Sequence, residues 1–346
     1  MNRSVLFKKV YGCLLAGVMG DAMGAPTEGM TYTEIKEQFD YVDDFQGAGT
    51  DDSAIKLILC EAILKYNGYV TADEFAEAFI NNKKNYYSLF YIPVRNMFHK
   101  IESKLTLPVY AGLGNMQSSS SAMAISPLGL INACNPRQAA LETYDVAGLI
   151  HAGDTTFCRD GACAIAAAVA EAMSPQATVE SIVLASYIYL HKDSSVEMVE
   201  CINKTVSMAR AAGNYEEFRK VFYENSLRHV ISDSRETVPC TLALFLLADG
   251  DPTKAMQYAA NFGRDADTIG TMAGAICGAF KGVDGLKAEW VKRIESTYGQ
   301  KQENSKGVDI ETKVPDQSKL ADQIVDVLIR RADNFRNCLD KITMIQ

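Results

Sequence analysis

The sequence predicts an all-α protein, and three observations carry that prediction. Apolar residues recur at helical spacing along most of the 346 residues, long alternating strand patterns are missing, and two segments place a small residue at every fourth position. A doubly wound sheet would instead show short Val/Ile-rich runs between its helices. The 48% hydrophobic content can build a sizeable core, and 34 Lys+Arg against 43 Asp+Glu leave a formal net charge of -9. That acidic balance, with four histidines, argues against a protein whose main work is gripping a nucleic-acid backbone, so no stable nucleic-acid complex is expected. Nine scattered cysteines without a close CxxC pair read as small buried hydrophobes in a reducing compartment. Lys8 and Lys9 before VYGCLLAGVMG superficially resemble a secretion signal, but the apolar run is short and Asp21 follows almost at once. No run reaches the roughly 18 apolar residues of a membrane helix. The expectation is a soluble, cytoplasmic protein folded as one domain over 1–346, with no membrane association; its oligomeric state is not legible in these features.

Taken in order, the first helix is expected at 6–24, where Gly12, Ala16, Gly20 and Gly24 share one face. Helices follow at 51–66 and 72–80, and YSLFYIPV at 87–94 is the best local candidate for a strand. The next helices are expected at 136–149, 160–173, 176–189, 194–211, 215–228, 237–248, 253–261 and 267–280. The last of these is expected to carry Gly270, Gly274, Gly278 and Gly282 on one face. Glycine is costly inside a helix, so two such faces predict a central helix pair whose backbones approach closely. The charged, Gly-containing segment 297–315 reads as an exposed loop before a final amphipathic helix at 316–333.

Five segments carry candidate chemistry. In QGAGTDDSAIKLILCEAIL at 46–64, Thr50 can cap a helix while Asp51 and Asp52 sit in its first turn, where free amides favour anions. The same residues are hard oxygen ligands, and an acidic helix cap is the plainer alternative. NFGRDADTIGTMAGAICGAFKG at 261–282 repeats the arrangement with Asp265, Asp267 and Thr268. Four carboxylates brought together need compensating charge, and oxygen-only ligands favour Mg, Mn or Ca over zinc; alternatively the two clusters face water at unrelated sites. GDAMGAPTEG at 20–29 adds Asp21 and Glu28, the latter a candidate for proton handling or an ordinary loop glutamate. AGLGNMQSSSSAMAISPLG at 111–129 offers amides and hydroxyls to a phosphate or sugar, lacks a nucleotide P-loop signature, and reads equally as a structural turn. In HAGDTTFCRDGACAIAAAVAEA at 151–172, His151 is a binding candidate or a satisfied core histidine, and Arg159 and Asp160 are expected at an exposed helix start.

Together, the ordered motifs GDAMGAPTE, GTDDS, SAMAISPLG, the histidine before an alanine-rich helix, and GRDADTIGTMAGAICGAFKG resemble the ADP-ribosylglycohydrolase family. This group includes ADP-ribosyl-arginine hydrolases and dinitrogenase-reductase-activating glycohydrolases. The resemblance implies a compact helical domain around a central binuclear metal site. Its ligands would be Thr50, Asp51, Asp52, Asp265, Asp267 and Thr268, with Asp267 bridging two divalent cations, Mg first and Mn second. The family's mobile acidic residue maps to Glu28, its ribose/phosphate loop to Ser121, Ala122 and Met123, and its pocket histidine to His151. The chain departs from the pattern where Ala124 replaces an arginine, where GLGNMQ replaces GNG, and where Arg264 replaces a small residue; Arg264 is a candidate substitute phosphate contact.

The implied function is metal-dependent hydrolysis of an ADP-ribosyl N- or O-glycosidic bond, on an ADP-ribosylated protein or a small ribosylated molecule. Glu28 is the first candidate for proton handling and Asp52 the second. The alternatives are a hydrolase of a smaller ribosylated metabolite or nucleoside, a non-catalytic ADP-ribose binding module, and a structural protein derived from the same fold.

Overall fold

The computed structural model describes residues 2–47, 49–303 and 309–345; Ala48 of the 46–64 segment and residues 304–308 of the expected 297–315 loop lie outside them. Helix α1 (Arg3–Gly24) starts at Asn2, whose side chain accepts the Val5 amide, and becomes wholly buried from Val10 onward. Helices α2 (Tyr32–Phe39), α3 (Asp51–Lys65), α4 (Ala72–Asn81), the single turn α5 (Lys83–Tyr86) and α6 (Ile92–Glu102) follow. After α7 (Ser126–Ile131) come α8 (Pro136–Gly148), α9 (Thr156–Ala172), α10 (Val179–Ile188), α11 (Val196–Ala212) and α12 (Tyr215–Asn225). Then come α13 (Ser234–Leu247), α14 (Pro252–Phe262), α15 (Ala266–Lys281), α16 (Ala288–Thr297) and α17 (Gln317–Thr343). Among the described residues the architecture is all-helical but for one short antiparallel ladder, β1 (Lys301–Glu303) with β2 (Asp309–Lys313), inside the segment expected to be a loop.

The predicted helix pair is α1 with α15, and it runs antiparallel. A Cβ added at Gly20 would overlap the Gly270 carbonyl, one at Gly274 would overlap that of Ala16, and one at Gly278 that of Gly12. Two backbones meet without intervening side chains, and this close packing offsets the roughly 0.5–1 kcal/mol that each mid-helix glycine costs relative to alanine. Gly282 lies past the end of α15 at positive φ, so it ends the helix rather than extending the face. Beside this pair lies α9, whose run from Ala162 to Ala170 is fully buried.

Several expectations need correction. YSLFYIPV forms no strand: Tyr87–Leu89 makes a 3-10 turn, and Ile92 opens α6 with Pro93 in its first turn. The period that decides it, Val94, Met97, Phe98 and Ile101, lies mostly beyond the apolar run. Helices α2 and α16 were not expected, because α2 buries only Ile35 and α16 only Trp290 and Ile294. Asp160 is not at an exposed helix start, since α9 begins at Thr156 and the Asp160 side chain is buried near Tyr144 and Ser195. Of the nine cysteines, Cys134 and Cys338 are exposed and Cys201 half-buried, and all nine are free thiols. No helix among the described residues is long and apolar enough to cross a membrane.

Candidate active site

The antiparallel pairing sets the C-terminal end of α1 against the N-terminal end of α15. A Cβ at Gly24 would overlap the backbone of Ala266 and Asp267, so GDAMGAPTE and DADT meet at one end of the pair. The chain then turns through Ala25–Thr27, where the Thr27 hydroxyl bonds the Gly24 and Ala260 carbonyls at 3.0 and 2.8 Å. Two backbone hydrogen bonds, Gly29 N to Arg264 O at 2.7 Å and Arg264 N to Met30 O at 2.8 Å, clamp the next loop. Gly263 permits this approach: its φ is +76°, and a Cβ there would overlap the Met30 carbonyl. The clamp carries Glu28 beside Asp265 and Asp267; one carboxylate oxygen from each of the three lies within 4.8 Å of the others.

Helix α3 brings the second acidic motif. Thr50 caps it by accepting the Asp52 amide, with Asp51 and Asp52 in the first turn. Asp21, fully buried, holds that turn in place: both of its oxygens accept the Thr50 amide at 2.9 Å, and one also accepts the Ser53 amide at 3.0 Å and the Ser53 hydroxyl at 2.6 Å. Behind Asp21 lies Lys56, also fully buried, whose Nζ has no hydrogen-bond partner. Gly17 leaves room for it, because a Cβ there would lie 2.8 Å from Nζ. Burial pushes the Lys56 pKa down, and the Asp21 carboxylate pushes it back up.

These elements enclose a cavity of about 350 Å³. Glu28, Thr50, Asp51, Asp52, Asp265, Asp267 and Thr268 line it together, so the two TDD- and DADT-bearing segments form one site and not two solvent-facing caps. The remaining wall comes from Ser88–Ile92 and Arg95, from Ser119, Ser120 and Met123, and from Ile231 and Ser232. Ser119 donates to Asp265 at 2.7 Å, and the Thr268 amide donates to Asp267 at 2.9 Å.

Burial, then mutual repulsion, raises the carboxylate pKa values here. Asp52 and Asp267 lie well above the ordinary range, each desolvated and facing other carboxylates. Asp265 is pushed up to about 7 by burial, against the Ser119 hydrogen bond that lowers it. Asp52 Oδ1 is buried without a hydrogen-bond partner. An orphaned carboxylate oxygen beside a crowd of others, with no His or Cys among the lining residues, fits a hard divalent cation held by oxygen.

The other expected binding residues are distributed differently. Met123 lines the cavity, whereas Ser121, Ala122 and His151 do not. The Ser121 hydroxyl meets His151 Nδ1 at 2.9 Å, and Ser118 meets Nε2 at 3.0 Å, so the imidazole braces the loop from behind. Burial lowers the His151 pKa to about 3, which keeps the ring neutral. Arg264 also turns away from the cavity: its guanidinium pairs with buried Glu236 at 2.8 Å and donates to the Arg228 carbonyl at 2.6 Å. It is not among the residues lining the cavity, although its backbone positions Glu28. Sequence reasoning missed Lys56, the Ser88–Arg95 wall, Ile231 and Ser232; Ser119 and Ser120 lie in the 111–129 segment expected to offer hydroxyls, without being singled out there. The one signal for Lys56 was a lysine inside an otherwise apolar stretch of α3.

The central glycine-faced pair thus ends in a carboxylate-lined cavity within a helical body. Residues 2–333 match the ADP-ribosylglycohydrolase family, and the chain belongs to that family of glycosidic-bond hydrolases. It is 26% identical over 314 residues to the uncharacterized protein YegU of Escherichia coli (strain K12), covering 82% of this chain and 91% of that protein. It is 24% identical over 339 residues to the ADP-ribosylhydrolase ARH3 of Gallus gallus, covering 82% and 88%. Among solved structures, an ADP-ribosylglycohydrolase-related protein complex superposes with a TM-score of 0.67 over 94% of this chain and 99% of that one, at 18% identity, which establishes the shared fold.

Proposed function

We propose that this protein, acting as one domain over 1–346, is a divalent-metal-dependent hydrolase of ADP-ribosyl N- or O-glycosidic bonds that releases ADP-ribose from a modified protein or a small ribosylated molecule. The observation that carries the reading is the convergence of Glu28, Asp51, Asp52, Asp265 and Asp267 on one cavity beside an orphaned carboxylate oxygen. Thr50, Asp51, Asp52, Asp265, Asp267 and Thr268 would hold two cations, Mg first and Mn second. Bound there, such ions would offset the carboxylate charge, orient ribose hydroxyls and a water, and stabilise charge as the glycosidic bond breaks.

The chain's own groups supply order and proton handling. Asp21 fixes the backbone of the first turn of α3, so Thr50 and Asp52 enter the cavity from a set position. Ser119 fixes Asp265, and the Thr268 amide fixes Asp267. Glu28, the exposed member of the acidic trio, would take a proton from water or give one to the leaving group; Asp52 is the second candidate. Ser119, Ser120 and Met123 would contact the substrate directly, with Ser121, Ala122 and His151 acting through the loop they brace. The nine free thiols support a cytoplasmic location.

The fate of Arg264 supports a second reading, hydrolysis of a smaller ribosylated metabolite or nucleoside, because that guanidinium is committed to Glu236. Mass-spectrometric product analysis separates the two. Purified protein with Mg is given ADP-ribosylated arginine and serine peptides, ADP-ribosylated nucleotides and simple nucleosides, with a chelator control. Chelator-sensitive release of ADP-ribose is expected; cleavage of nucleosides alone would replace the first reading with the second.

A further inference from the structure

One wall of the cavity belongs to none of the acidic or serine-rich motifs. It is built by Ser88–Ile92 and Arg95, and Arg95 is the basic residue among those lining the cavity. Phe90 is buried in this wall, while Tyr91 and Ile92 stand 38% and 52% exposed at its edge. Arg95 is an exposed side chain at the cavity's edge, whereas buried Arg331 and part-buried Arg264 are paired with Glu142 and Glu236. Arg95 makes no ion pair among the described residues, although it shares a cavity with Glu28 and four aspartates. It donates instead through Nη2 to the Ser88 carbonyl at 3.0 Å, with its guanidinium 5.9 Å from the Tyr87 ring centroid. These contacts hold the group on the wall and use one of its five N–H donors.

We propose that Arg95 is a specificity-determining residue that binds a phosphate group of the substrate, with the Phe90–Ile92 edge beside it receiving an apolar ring. This rests on the hydrolase reading above and assigns one residue of this chain, outside the acidic and serine-rich motifs, to the substrate's phosphate. A carboxylate-lined floor repels a phosphate, so an anionic substrate needs a cation of its own at a distance from that floor. The planar guanidinium matches phosphate oxygens in a way a lysine does not, and an adjoining aromatic and aliphatic edge suits a nucleobase. The phosphate could be the diphosphate of an ADP-ribosyl group or the monophosphate of a ribose phosphate, and both present the same chemistry to Arg95.

The test is calorimetric binding of ADP-ribose, ribose 5-phosphate and adenosine to the full-length protein with Mg, in wild type, Arg95→Gln and Arg95→Lys, with Mn affinity measured alongside. Arg95→Gln should weaken ADP-ribose binding by roughly tenfold or more, the scale of one lost charge-assisted hydrogen bond. Arg95→Lys should recover part of the loss, and adenosine and Mn affinities should not move. If ribose 5-phosphate weakens as much as ADP-ribose, a single phosphate suffices; loss confined to ADP-ribose assigns the diphosphate. ADP-ribose binding within twofold of wild type in Arg95→Gln, with ADP-ribosyl turnover intact, overturns the subsite and leaves the hydrolase reading standing. A binding loss without any ADP-ribosyl turnover in wild type keeps the subsite and removes that reading. No binding of either phosphate by wild type removes both.

Discussion

Two regions of this molecule draw carboxylates wholly or partly out of water, and they neutralise them in opposite ways. Under the C-terminal helix, Glu142 meets Arg331 at 2.6 Å, and Arg331, 1% exposed, also donates to Asn132 and to the Gly68 carbonyl. Glu236 is likewise matched by Arg264. At the end of the α1–α15 pair, Asp52, Asp265 and Asp267 face one another and Glu28, and the three aspartates make no ion pair among the described residues, Arg95 on the cavity wall included. The chain thus has a protein solution for a buried carboxylate and withholds it at the cavity. What differs is where the positive charge comes from: it is covalent in the first region, and in the second it is left to something that binds.

The largest effect should come from removing a carboxylate at the cavity. Asp267→Ala should lower kcat/KM by about three orders of magnitude, the scale of several kcal/mol of lost charge stabilisation. In wild type, Mg at about 100 times its Kd should add roughly 2.7 kcal/mol to unfolding stability, and in Asp267→Ala that gain should vanish. An equal Mg-dependent shift in both proteins, read by thermal melting, would break the comparison. Next, Arg331→Met should cost about 1–3 kcal/mol by removing the cation that Glu142 shares with Asn132 and the Gly68 carbonyl, equally with Mg and with chelator. Denaturant titration measures it, and a metal-dependent cost would mean the two regions are not separate.

Lys56→Met should act on both sides of the comparison at once. It removes the cation near Asp21, so the metal-free protein should lose roughly 1–3 kcal/mol. A less positive surrounding should also bind Mn a few-fold more tightly, which calorimetry reads; weaker Mn binding would show that Lys56 serves the centre in another way. The smallest effect belongs to Asp160, a buried carboxylate with neither solution, whose Oδ1 has no partner. Burial raises its pKa to about 6, above the usual carboxylate value. The folded state therefore holds that proton more tightly, and ionising it costs stability as the pH rises through this range. Asp160→Asn should raise the melting temperature more at pH 8 than at pH 5, and an equal shift at both would remove the linkage.

Much of this was legible along the chain. Thr50 before two aspartates is a helix start by local hydrogen bonding, and it caps α3. The fourfold spacing of Gly12, Ala16 and Gly20 and of Gly270, Gly274 and Gly278 is a property of two segments, and it announced the central pair. Elements with a thin stripe, such as α2 with its single buried Ile35, gave too little period to read. The 87–94 run misled because a few apolar residues fit a strand as well as a helix start, and its period completes only at Ile101.

The sequence by itself determined the helical class, the caps, the glycine faces and the order of the motifs, because each depends on residues a few positions apart. Only the tertiary structure decided that the pair is antiparallel, which joins the end of α1 to the start of α15 and so brings Glu28 to Asp265 and Asp267. It also turned Arg264 toward Glu236, set His151 behind the serine loop and opened Arg95 onto the cavity. A side chain's partner depends on which distant backbone packs beside it, and spacing along one helix says which face a residue occupies but not what that face will meet.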